Sequence, residues 1–278
     1  MPSQPRIHAY ASVGRTGLGN MLFPWARAEV FSRQFNAVLL APQWFQPLRV
    51  GPWLRGERDK RYYLGQFTHA GYLTGPARLA RLWLSPRVEE SAAGNSPRLG
   101  SLVVFRGMGQ GFDGLHDHRE FLWRRLMELA RSDIRDKVGR LTGGAIGVHI
   151  RRGDFRVAPG ERFARTGDYE VSLTWYANAI GEARRRLGAD VPVRIFSDAP
   201  PAELADFRRL PNVEIMPAAP ALQDLLMLSR SALIVGTAKS TFSLWAAFFS
   251  RAPTLWPPSA NFQRYGLGNG QQIVWSPT

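Results

Sequence analysis

The residues best suited to chemistry lie between 145 and 154, where an apolar run ends at two adjacent arginines. The run Ala-Ile-Gly-Val-His-Ile is rich in strand formers, and Arg151-Arg152-Gly153-Asp154 follows it directly. This pattern predicts a buried parallel strand whose carboxyl end opens into a charged turn. Ligands of open α/β sheets bind at such strand ends. Arginine presents a rigid fork of donors that matches phosphate oxygens, so the turn is a candidate phosphate or pyrophosphate site.

Within this segment, the alternation of side chains along a strand assigns different directions to neighbouring residues. His149 and Arg151 are expected on one face, where His149 would orient a base or ribose and Arg151 would meet a phosphate. Arg152 would point the other way unless the turn begins at it. Asp154 could pair with Arg152, hold the loop, or accept a proton from a hydroxyl. A salt-bridge cluster at the surface is the alternative interpretation of the group.

A second candidate is the glycine-rich turn Gly14-x-x-Gly17-x-Gly19-Asn20, which precedes a predicted helix at residues 21–34. Closely spaced glycines let backbone amides approach an anion or a sugar at a helix N-terminus. The spacing differs from the dinucleotide pattern G-x-G-x-x-G, and no acidic residue stands at the distance that would reach a ribose. This argues against a nicotinamide or flavin enzyme. A structural tight turn explains the glycines equally well.

A third candidate is the pair Ser197-Asp198, which ends a predicted strand at residues 193–196. A carboxylate at this position could accept hydrogen bonds from a guanine edge or from a ribose. It could equally cap a helix that begins near Pro200. The sequence leaves these two interpretations open, and both place the carboxylate at the end of a strand.

A fourth candidate is the hydroxyl cluster Ser240, Thr241 and Ser243, which follows a predicted strand at residues 232–235. Hydroxyls combined with the amides of a helix N-terminus form an anion cradle. An ordinary N-cap is the alternative. We favour the ligand site because this cluster is expected on the same edge of the sheet as the arginine pair.

The predicted elements indicate how these residues are positioned. Strands and helices alternate from residue 141 onward, which predicts a parallel sheet with helices on both faces. Residues 6–40 begin as strand, glycine turn, helix and strand. Residues 41–118 have an irregular pattern apart from a short strand at 103–105, and residues 119–141 have the spacing of one helix.

Composition limits the function classes. The chain has 278 residues, 45% of them hydrophobic, which suits one large domain or two ordinary ones. It has no cysteine, which excludes disulfides, thiolate metal sites and a cysteine nucleophile. No apolar run approaches the roughly 18 residues of a transmembrane helix, and residues 1–10 lack an apolar signal core, so we expect a cytoplasmic protein.

The net charge is +14, from 36 basic and 22 acidic residues, and arginine supplies nearly all of the positive charge. A GC-rich genome would explain the arginine usage. An anionic partner is the functional alternative: a nucleotide-sugar, a lipid-linked substrate at an anionic membrane, or nucleic acid. The arginines are scattered and no helix-turn-helix, zinc-finger or RNP-like pattern is present, so nucleic acid is not expected.

Taken in order, the four segments resemble the bacterial α-1,2-fucosyltransferases, glycosyltransferase family eleven, and more distantly the α-1,6- and O-fucosyltransferases. The family pattern is a Gly-Gly-Leu-Gly-Asn loop, His-x-Arg-Arg-Gly-Asp, Ser-Asp, and Ser-Thr-Phe-Ser followed by Trp. In this chain these motifs occupy residues 16–20, 149–154, 197–198 and 240–245. The chain departs from the pattern at four positions, which leaves the donor sugar and acceptor open: Thr16, Met21, Lys239 and Leu244 replace Gly, Gln, Asn and Trp.

The resemblance implies an α/β, GT-B-like fold of two Rossmann-like domains facing across a cleft. Residues 1–140 would form the acceptor-side domain and residues 141–278 the donor-binding domain. The implied activity is that of a galactoside 2-α-L-fucosyltransferase: an inverting, metal-independent transfer of fucose from GDP-fucose to a glycan hydroxyl. No cofactor is implied. The acceptor would be an oligosaccharide or a lipid-linked glycan. The positive charge of the chain would then help it to dock at an anionic inner membrane as a peripheral protein.

The resemblance also implies roles for individual residues. Arg151 would bind the pyrophosphate with support from Arg152, and Asn20 would close over the donor from the other domain. His149 and Asp198 would approach the guanosine, while Ser240 and Thr241 would touch phosphate. Together the implied donor-binding residues are Gly17, Gly19, Asn20, His149, Arg152, Ser197, Asp198, Ser240, Thr241 and Phe242.

The implied catalytic residues are Arg151 and Asp154. Arg151 would stabilise the charge that develops on the departing GDP. An inverting transfer also needs a base for the acceptor hydroxyl, and Asp154 is the nearest candidate in the sequence. Weaker candidates for the base lie in the middle of the chain: Asp113, His116, Asp117 and His118. Two other functions stay open, a basic nucleic-acid-binding protein and a non-catalytic relative that binds a GDP-sugar.

Overall fold

A computed structural model describes residues 6–46, 62–94, 96–153, 170–268 and 271–277. They form two compact units, of which the first ends at Arg131 and the second begins at Ser132. Each unit is built around its own parallel β-sheet with associated helices. The α/β class predicted from the sequence is therefore confirmed.

The described part of the first unit contains a four-stranded parallel sheet in the order β2-β1-β4-β3. A 3₁₀ helix, His116–His118, precedes its last helix. The elements are β1 (His8–Ser12), α1 (Leu18–Phe35), β2 (Val38–Leu40), α2 (Gly75–Leu84), β3 (Arg87–Glu89), α3 (Glu90–Ala93), β4 (Leu102–Arg106) and α4 (Arg119–Leu129).

The described part of the second unit contains a six-stranded parallel sheet in the order β10-β9-β8-β5-β6-β7. Two 3₁₀ helices, Pro201–Arg209 and Phe262–Tyr265, connect its strands. The other elements are α5 (Ser132–Arg140), β5 (Ile146–Ile150), α6 (Leu173–Leu187), β6 (Val193–Ser197), β7 (Val213–Ile215), α7 (Ala221–Leu228), β8 (Leu233–Val235), α8 (Thr241–Ser250), β9 (Thr254–Trp256) and β10 (Gln272–Val274).

The strand order of the second unit defines where a ligand would bind. From β5 the chain builds β6 and β7 on one side, and then returns to build β8, β9 and β10 on the other. The direction of building therefore reverses between β5 and β8. In open α/β sheets the crevice at the carboxyl ends of these two strands is the usual binding place.

Strand β5 is buried on both faces, as its apolar run predicts. Ile146, Val148 and Ile150 belong to the core cluster that α6 and the helix Pro201–Arg209 cover. On the other face, a Cβ on Gly147 would lie 2.7 Å from the Leu228 side chain of α7. Helices thus cover both faces of this sheet, as predicted, and Gly147 permits the close approach of α7.

Three parts of the chain differ from the sequence-based expectation. Residues 119–141 form two helices, α4 and α5, because Thr68 N–H donates to Leu129 O and Arg131 N–H donates to Gln66 O at the break. The units therefore divide before α5, which packs against α7, and not near residue 140. Helix α1 begins at Leu18 and not at residue 21. The region predicted to be irregular contains α2, β3 and α3.

Candidate functional site

Three loops follow the carboxyl ends of β8, β5 and β6, which are neighbours in the sheet. The loop after β5 carries Arg151 and Arg152, the loop after β6 carries Asp198, and the loop after β8 carries Thr237 and leads to Ser240. Hydrogen bonds join the three loops directly. The arginine pair and the hydroxyl cluster thus lie at one edge of the sheet, at the switch point between β5 and β8.

Asp198 organises the turn that follows β5. One carboxylate oxygen, Oδ2, lies 2.9 Å from Nη1 of Arg151. The other, Oδ1, accepts hydrogen bonds from the backbone N–H of Arg152 at 2.6 Å and of Gly153 at 3.2 Å. The resemblance implies that this carboxylate approaches the guanosine. The observed contacts make it the group that positions Arg151, while the N-cap of the following 3₁₀ helix is Pro200.

Arg152 has a different environment from Arg151. Its Nη1 lies 2.5 Å from Oε1 of Glu170, and its Nε donates to Oε2 of Glu203 at 3.2 Å. Two carboxylates therefore balance its single charge. Glu170 and Glu203 could not be found from the sequence, because neither stands in a motif. Arg151 pairs with a different carboxylate, that of Asp198.

Thr237 is a residue that the motif analysis did not single out. Its buried hydroxyl donates to the carbonyl of His149 at 2.6 Å and accepts from the backbone N–H of Arg151 at 3.2 Å. The hydroxyl of Tyr176, on α6, lies 2.9 Å from the same oxygen, and burial raises the pKa of Tyr176. Thr237 thus ties the end of β8 to the backbone on both sides of Ile150.

His149 is buried and neutral. Burial first, and the positive charge of Arg151 second, lower its pKa to about 3. Its Nδ1 lies 2.7 Å from Oγ of Ser243, which also accepts from the N–H of Thr237 at 3.0 Å. The Ser243 hydroxyl has its own proton to donate, and Nδ1 is an acceptor within reach, which favours the tautomer with hydrogen on Nε2. The ring packs against Phe242, with centroids 4.7 Å apart.

Helix α8 begins with a serine N-cap that follows a residue in a left-handed conformation. Ser240 is the N-cap, and its side chain accepts from the N–H of Ser243 at 3.4 Å, as the capping alternative anticipates. Thr241 is the first helical residue. Before the cap, Lys239 has a φ of 56°, a left-handed conformation that asparagine adopts more readily than lysine. The asparagine of the fucosyltransferase motif at this position therefore has a backbone explanation.

Ser197 has a structural position at the end of β6. Its hydroxyl donates to the carbonyl of Ile150 at 2.8 Å and accepts from the N–H of Ala199 at 3.0 Å. These bonds fasten the end of β6 to the end of β5. The side chain thus holds together the strand ends from which Arg151 and Asp198 project.

The glycine-rich turn lies in the first unit, after β1. Gly14 has a φ of 65°, which favours glycine, and Gly17 is the N-cap of α1. The first amide of the helix, Leu18 N–H, donates to the hydroxyl of Tyr63 at 2.7 Å. The helix therefore starts inside the motif, and Gly19 and Asn20 lie in its first turn and not in a loop.

The structure describes four of the five candidates for the catalytic base. The fifth, Asp154, lies outside the described residues. Asp113, His116, Asp117 and His118 follow β4 in the first unit, where Asp113 and Asp117 are exposed.

Among the described residues, no three histidine or acidic side chains cluster as metal ligands. In the same part of the chain, no helix combines the length and apolar character needed to cross a membrane.

Several solved structures with a similar fold are fucosyltransferases. NodZ α-1,6-fucosyltransferase soaked with GDP-fucose superposes with a TM-score of 0.54 and 17% identity, over 90% of this chain and 93% of that one. Selenomethionine-labelled NodZ from Bradyrhizobium gives a TM-score of 0.56 and 17% identity, over 90% and 94%. The apo form of POFUT1 gives 0.52 and 13%, over 92% and 99%.

The chain shares the fold of these structures. The likeness covers nearly the full length of both chains, and it confirms the fold class predicted from the sequence. No protein-family model matches the chain, and no curated protein matches it.

Proposed function

We propose that the chain transfers fucose from GDP-fucose to a hydroxyl of a glycan. The observation that carries this proposal is the arrangement at the β5–β8 switch point, where Asp198 holds the Arg151 guanidinium beside the buried His149. The fold supports it, because NodZ, a similar structure, is an α-1,6-fucosyltransferase that was soaked with GDP-fucose. A second NodZ structure was co-crystallized with GDP.

Arg151 carries the central chemical role in this proposal. As the bond between the anomeric carbon and the β-phosphate oxygen breaks, negative charge accumulates on GDP. A guanidinium fixed in place before the reaction stabilises that charge without reorganising. The positive end of the α8 dipole, beginning at Ser240 and Thr241, adds to the stabilisation. The transfer therefore needs no metal ion to neutralise the leaving group.

His149 serves the nucleoside side of the donor in this proposal. A neutral imidazole with hydrogen on Nε2 donates one hydrogen bond and adds no charge next to Arg151. Its pKa of about 3 keeps it neutral throughout the physiological range. Phe242, packed against the ring, supplies an apolar surface for a base or ribose. Gly17, Gly19 and Asn20 remain proposed donor contacts on the basis of the motif resemblance.

We propose an inverting reaction. The acceptor oxygen attacks the anomeric carbon from the face opposite GDP, a new carbon–oxygen bond forms, and the acceptor proton passes to a base. Asp154 is our candidate for that base. The α-1,2 linkage of glycosyltransferase family eleven, with a galactoside acceptor, is proposed on the motif resemblance. We propose an oligosaccharide or a lipid-linked glycan in the cytoplasm as the acceptor.

Binding to a panel of nucleotides tests the donor. Calorimetry with GDP, GDP-fucose, GDP-mannose and UDP-galactose, with and without EDTA, should give binding of GDP and GDP-fucose that the chelator leaves unchanged. UDP-galactose should not bind, because the site is proposed to recognise guanosine. Absence of GDP binding would exclude the proposal. Tight GDP-mannose binding with no GDP-fucose binding would replace fucose by another sugar.

Product analysis tests the transfer. The protein is incubated with GDP-fucose and a set of β-galactosides, and the products are separated and their linkage assigned by NMR. An α-1,2-linked fucose confirms the family-specific proposal, and another linkage corrects it. Binding of GDP-fucose without any release of GDP, in the presence of these acceptors and of lipid-linked glycans, would instead favour a non-catalytic donor-binding protein.

A further inference from the structure

Helix α2 of the first unit exposes large apolar side chains. Trp83 is 83% exposed, Leu84 is 82% exposed and Leu79 is 51% exposed. Leu79 and Trp83 are four residues apart, so they lie on the same strip of the helix surface. Leu84 lies on the adjoining strip, together with Ala80. We call the surface formed by Leu79, Trp83 and Leu84 the α2 face.

The α2 face is turned away from the unit to which the helix belongs. The opposite side of α2 makes the contacts with that unit. Leu82 packs against a cluster of Leu40, Leu102 and Val104. Arg78 donates from Nε to the carbonyl of Ala41 at 2.8 Å. A surface helix normally turns its apolar side inward, so the outward direction of this apolar face needs another explanation.

Arginines surround the end of α2 that carries Trp83 and Leu84. Arg87 donates to the carbonyl of Leu82 at 2.7 Å. Arg81 and Arg6 both lie near His8, since their positive charges lower its pKa after burial does. Arg98 joins them, because the carbonyls of Arg6 and Arg98 accept from the consecutive amides of Gly100 and Ser101.

This edge of the first unit is uniformly positive in sequence. Residues 75–88 and 96–104 contain arginines and no aspartate or glutamate. The acidic residues nearest in sequence, Glu89 and Glu90, pair instead with Arg106 and Arg27. Arg81, Arg87, Arg98 and Arg6 are exposed at the strand ends opposite to the glycine-rich turn. We call them the amino-edge arginines.

We propose that the α2 face docks on an anionic lipid bilayer, with Trp83, Leu84 and Leu79 entering the interface and the amino-edge arginines binding lipid headgroups. Helices with tryptophan and leucine on one side and basic residues beside them lie in the plane of the membrane interface. Tryptophan favours the headgroup level, and the long stems of arginine reach phosphate groups from a shallow depth. This inference does not depend on the proposed fucosyl transfer.

The charge of the chain and the shape of the α2 face indicate that a lipid bilayer binds there. The chain carries a net charge of +14, and anionic lipids attract each basic group near the membrane surface. The α2 face lies on a single exposed helix, which suits a fluid interface. A second copy of the chain would bring the same positive edge against itself, and the two sets of arginines would repel each other.

Flotation with vesicles tests the proposal on the full chain. We compare vesicles of phosphatidylglycerol and phosphatidylethanolamine with vesicles of phosphatidylcholine, at low and high salt. The protein should float with the anionic vesicles at low salt and stay unbound with the zwitterionic ones. In Trp83→Ala/Leu84→Ala the partition coefficient should fall at least about tenfold, because two side chains lose their burial in the interface.

Matched variants separate the α2 face from general effects. Leu64 is 71% exposed and follows Tyr63, which contacts the opposite edge of the unit, so Leu64→Ala should bind as wild type does. Arg81→Glu and the second-unit Arg230→Glu change the net charge equally, and only Arg81→Glu should reduce binding, by about tenfold. The urea midpoint and the far-UV circular dichroism of each variant serve as checks of folding.

Three outcomes would overturn the proposal. The first is a wild-type protein that does not float with anionic vesicles. The second is equal binding by wild type and Trp83→Ala/Leu84→Ala when both are folded. The third is a wild-type dimer in sedimentation that Trp83→Ala/Leu84→Ala converts to a monomer without vesicle binding by either, which would assign the α2 face to self-association.

Discussion

The carboxylate of Asp198 and the guanidinium of Arg151 are joined across neighbouring strands, with Oδ2 and Nη1 2.9 Å apart. The same carboxylate accepts from the N–H groups of Arg152 and Gly153. One side chain thereby fixes both the backbone of the turn after β5 and the side chain proposed to meet the phosphates. Both partners of the ion pair are mostly buried, so solvent screens their interaction only partly.

Asp198→Asn should lower the free energy of unfolding by about 2 kcal/mol, because Arg151 loses its counter-charge in a mostly buried position. Urea denaturation measures the change. Asp206→Asn is the matched control: this carboxylate is 88% exposed, and its variant should stay within about 0.5 kcal/mol of wild type. If GDP supplies the missing charge, saturating GDP should raise the urea midpoint of Asp198→Asn more than that of wild type.

Thr237→Val keeps the shape of the side chain and removes the hydroxyl that joins His149, Arg151 and Tyr176. We expect a loss of about 2 kcal/mol, since several buried polar groups lose a partner at once. The control is Thr254→Val, which removes a buried hydroxyl that donates to the carbonyl of Ala252 at 3.3 Å, and a loss of about 1 kcal/mol or less is expected. Urea denaturation compares the two. Equal losses would mean that Thr237 is no more important than an ordinary buried threonine.

His149 should make stability depend on pH. Its pKa in the folded state is about 3, below the ordinary 6.5, so the unfolded chain takes up a proton first as pH falls. Its contribution is complete above pH 6.5 and is lost as pH falls toward 3, by at most about 1.4 kcal/mol per pH unit. Urea denaturation at pH 7.5, 6.0 and 5.0 should show this loss in wild type and a shallower one in His149→Gln.

The comparison between those two proteins isolates one histidine. Burial also lowers the pKa values of His8 and His69. Both histidines therefore change the free energy of unfolding with pH in the same way in wild type and in the variant. Subtracting the two pH profiles removes their contribution. Identical profiles would show that folding does not lower the pKa of His149, so that the folded protein would carry a charged His149 at pH 5.0, which would contradict its proposed role as a neutral donor.

Gly236, at the end of β8, has no room for a side chain. A Cβ at this position would lie 2.6 Å from the ring of Trp256, which is fully buried. Gly236→Ala should therefore lower the free energy of unfolding by about 2 kcal/mol through overpacking. Gly181→Ala, on an exposed and open position of α6, should instead raise it by up to about 1 kcal/mol. Urea midpoints that fall equally in both variants would contradict this account.

The edge of the sheet where the site lies could be predicted from sequence. The segment at 145–152 has a buried strand that ends in charged residues, and parallel strands bring their carboxyl ends to one edge. The partners of each charge could not be predicted in the same way. Asp198, Glu170 and Glu203 reach the arginines through loops that no local pattern describes.

Two errors of sequence interpretation have specific causes. The break between α4 and α5 depends on hydrogen bonds from residues 66–68, which are distant in sequence and replace those of a continuous helix. Helix α2 was not predicted because it stands in a stretch where proline and glycine are frequent, and Gly75 and Pro76 are its own first residues. That its apolar residues face solvent could not be read from the pattern, and this exposure is the basis of the membrane proposal.

The central claim is that Arg151 holds the phosphates of a GDP-sugar, and calorimetric titration of GDP into wild type, Arg151→Ala and Arg230→Ala tests it most directly. Arg230 is an exposed arginine of the second unit, so its variant controls for the loss of one positive charge. We expect wild type and Arg230→Ala to bind alike and Arg151→Ala to bind at least about tenfold more weakly. Equal affinity in wild type and a folded Arg151→Ala would contradict the account.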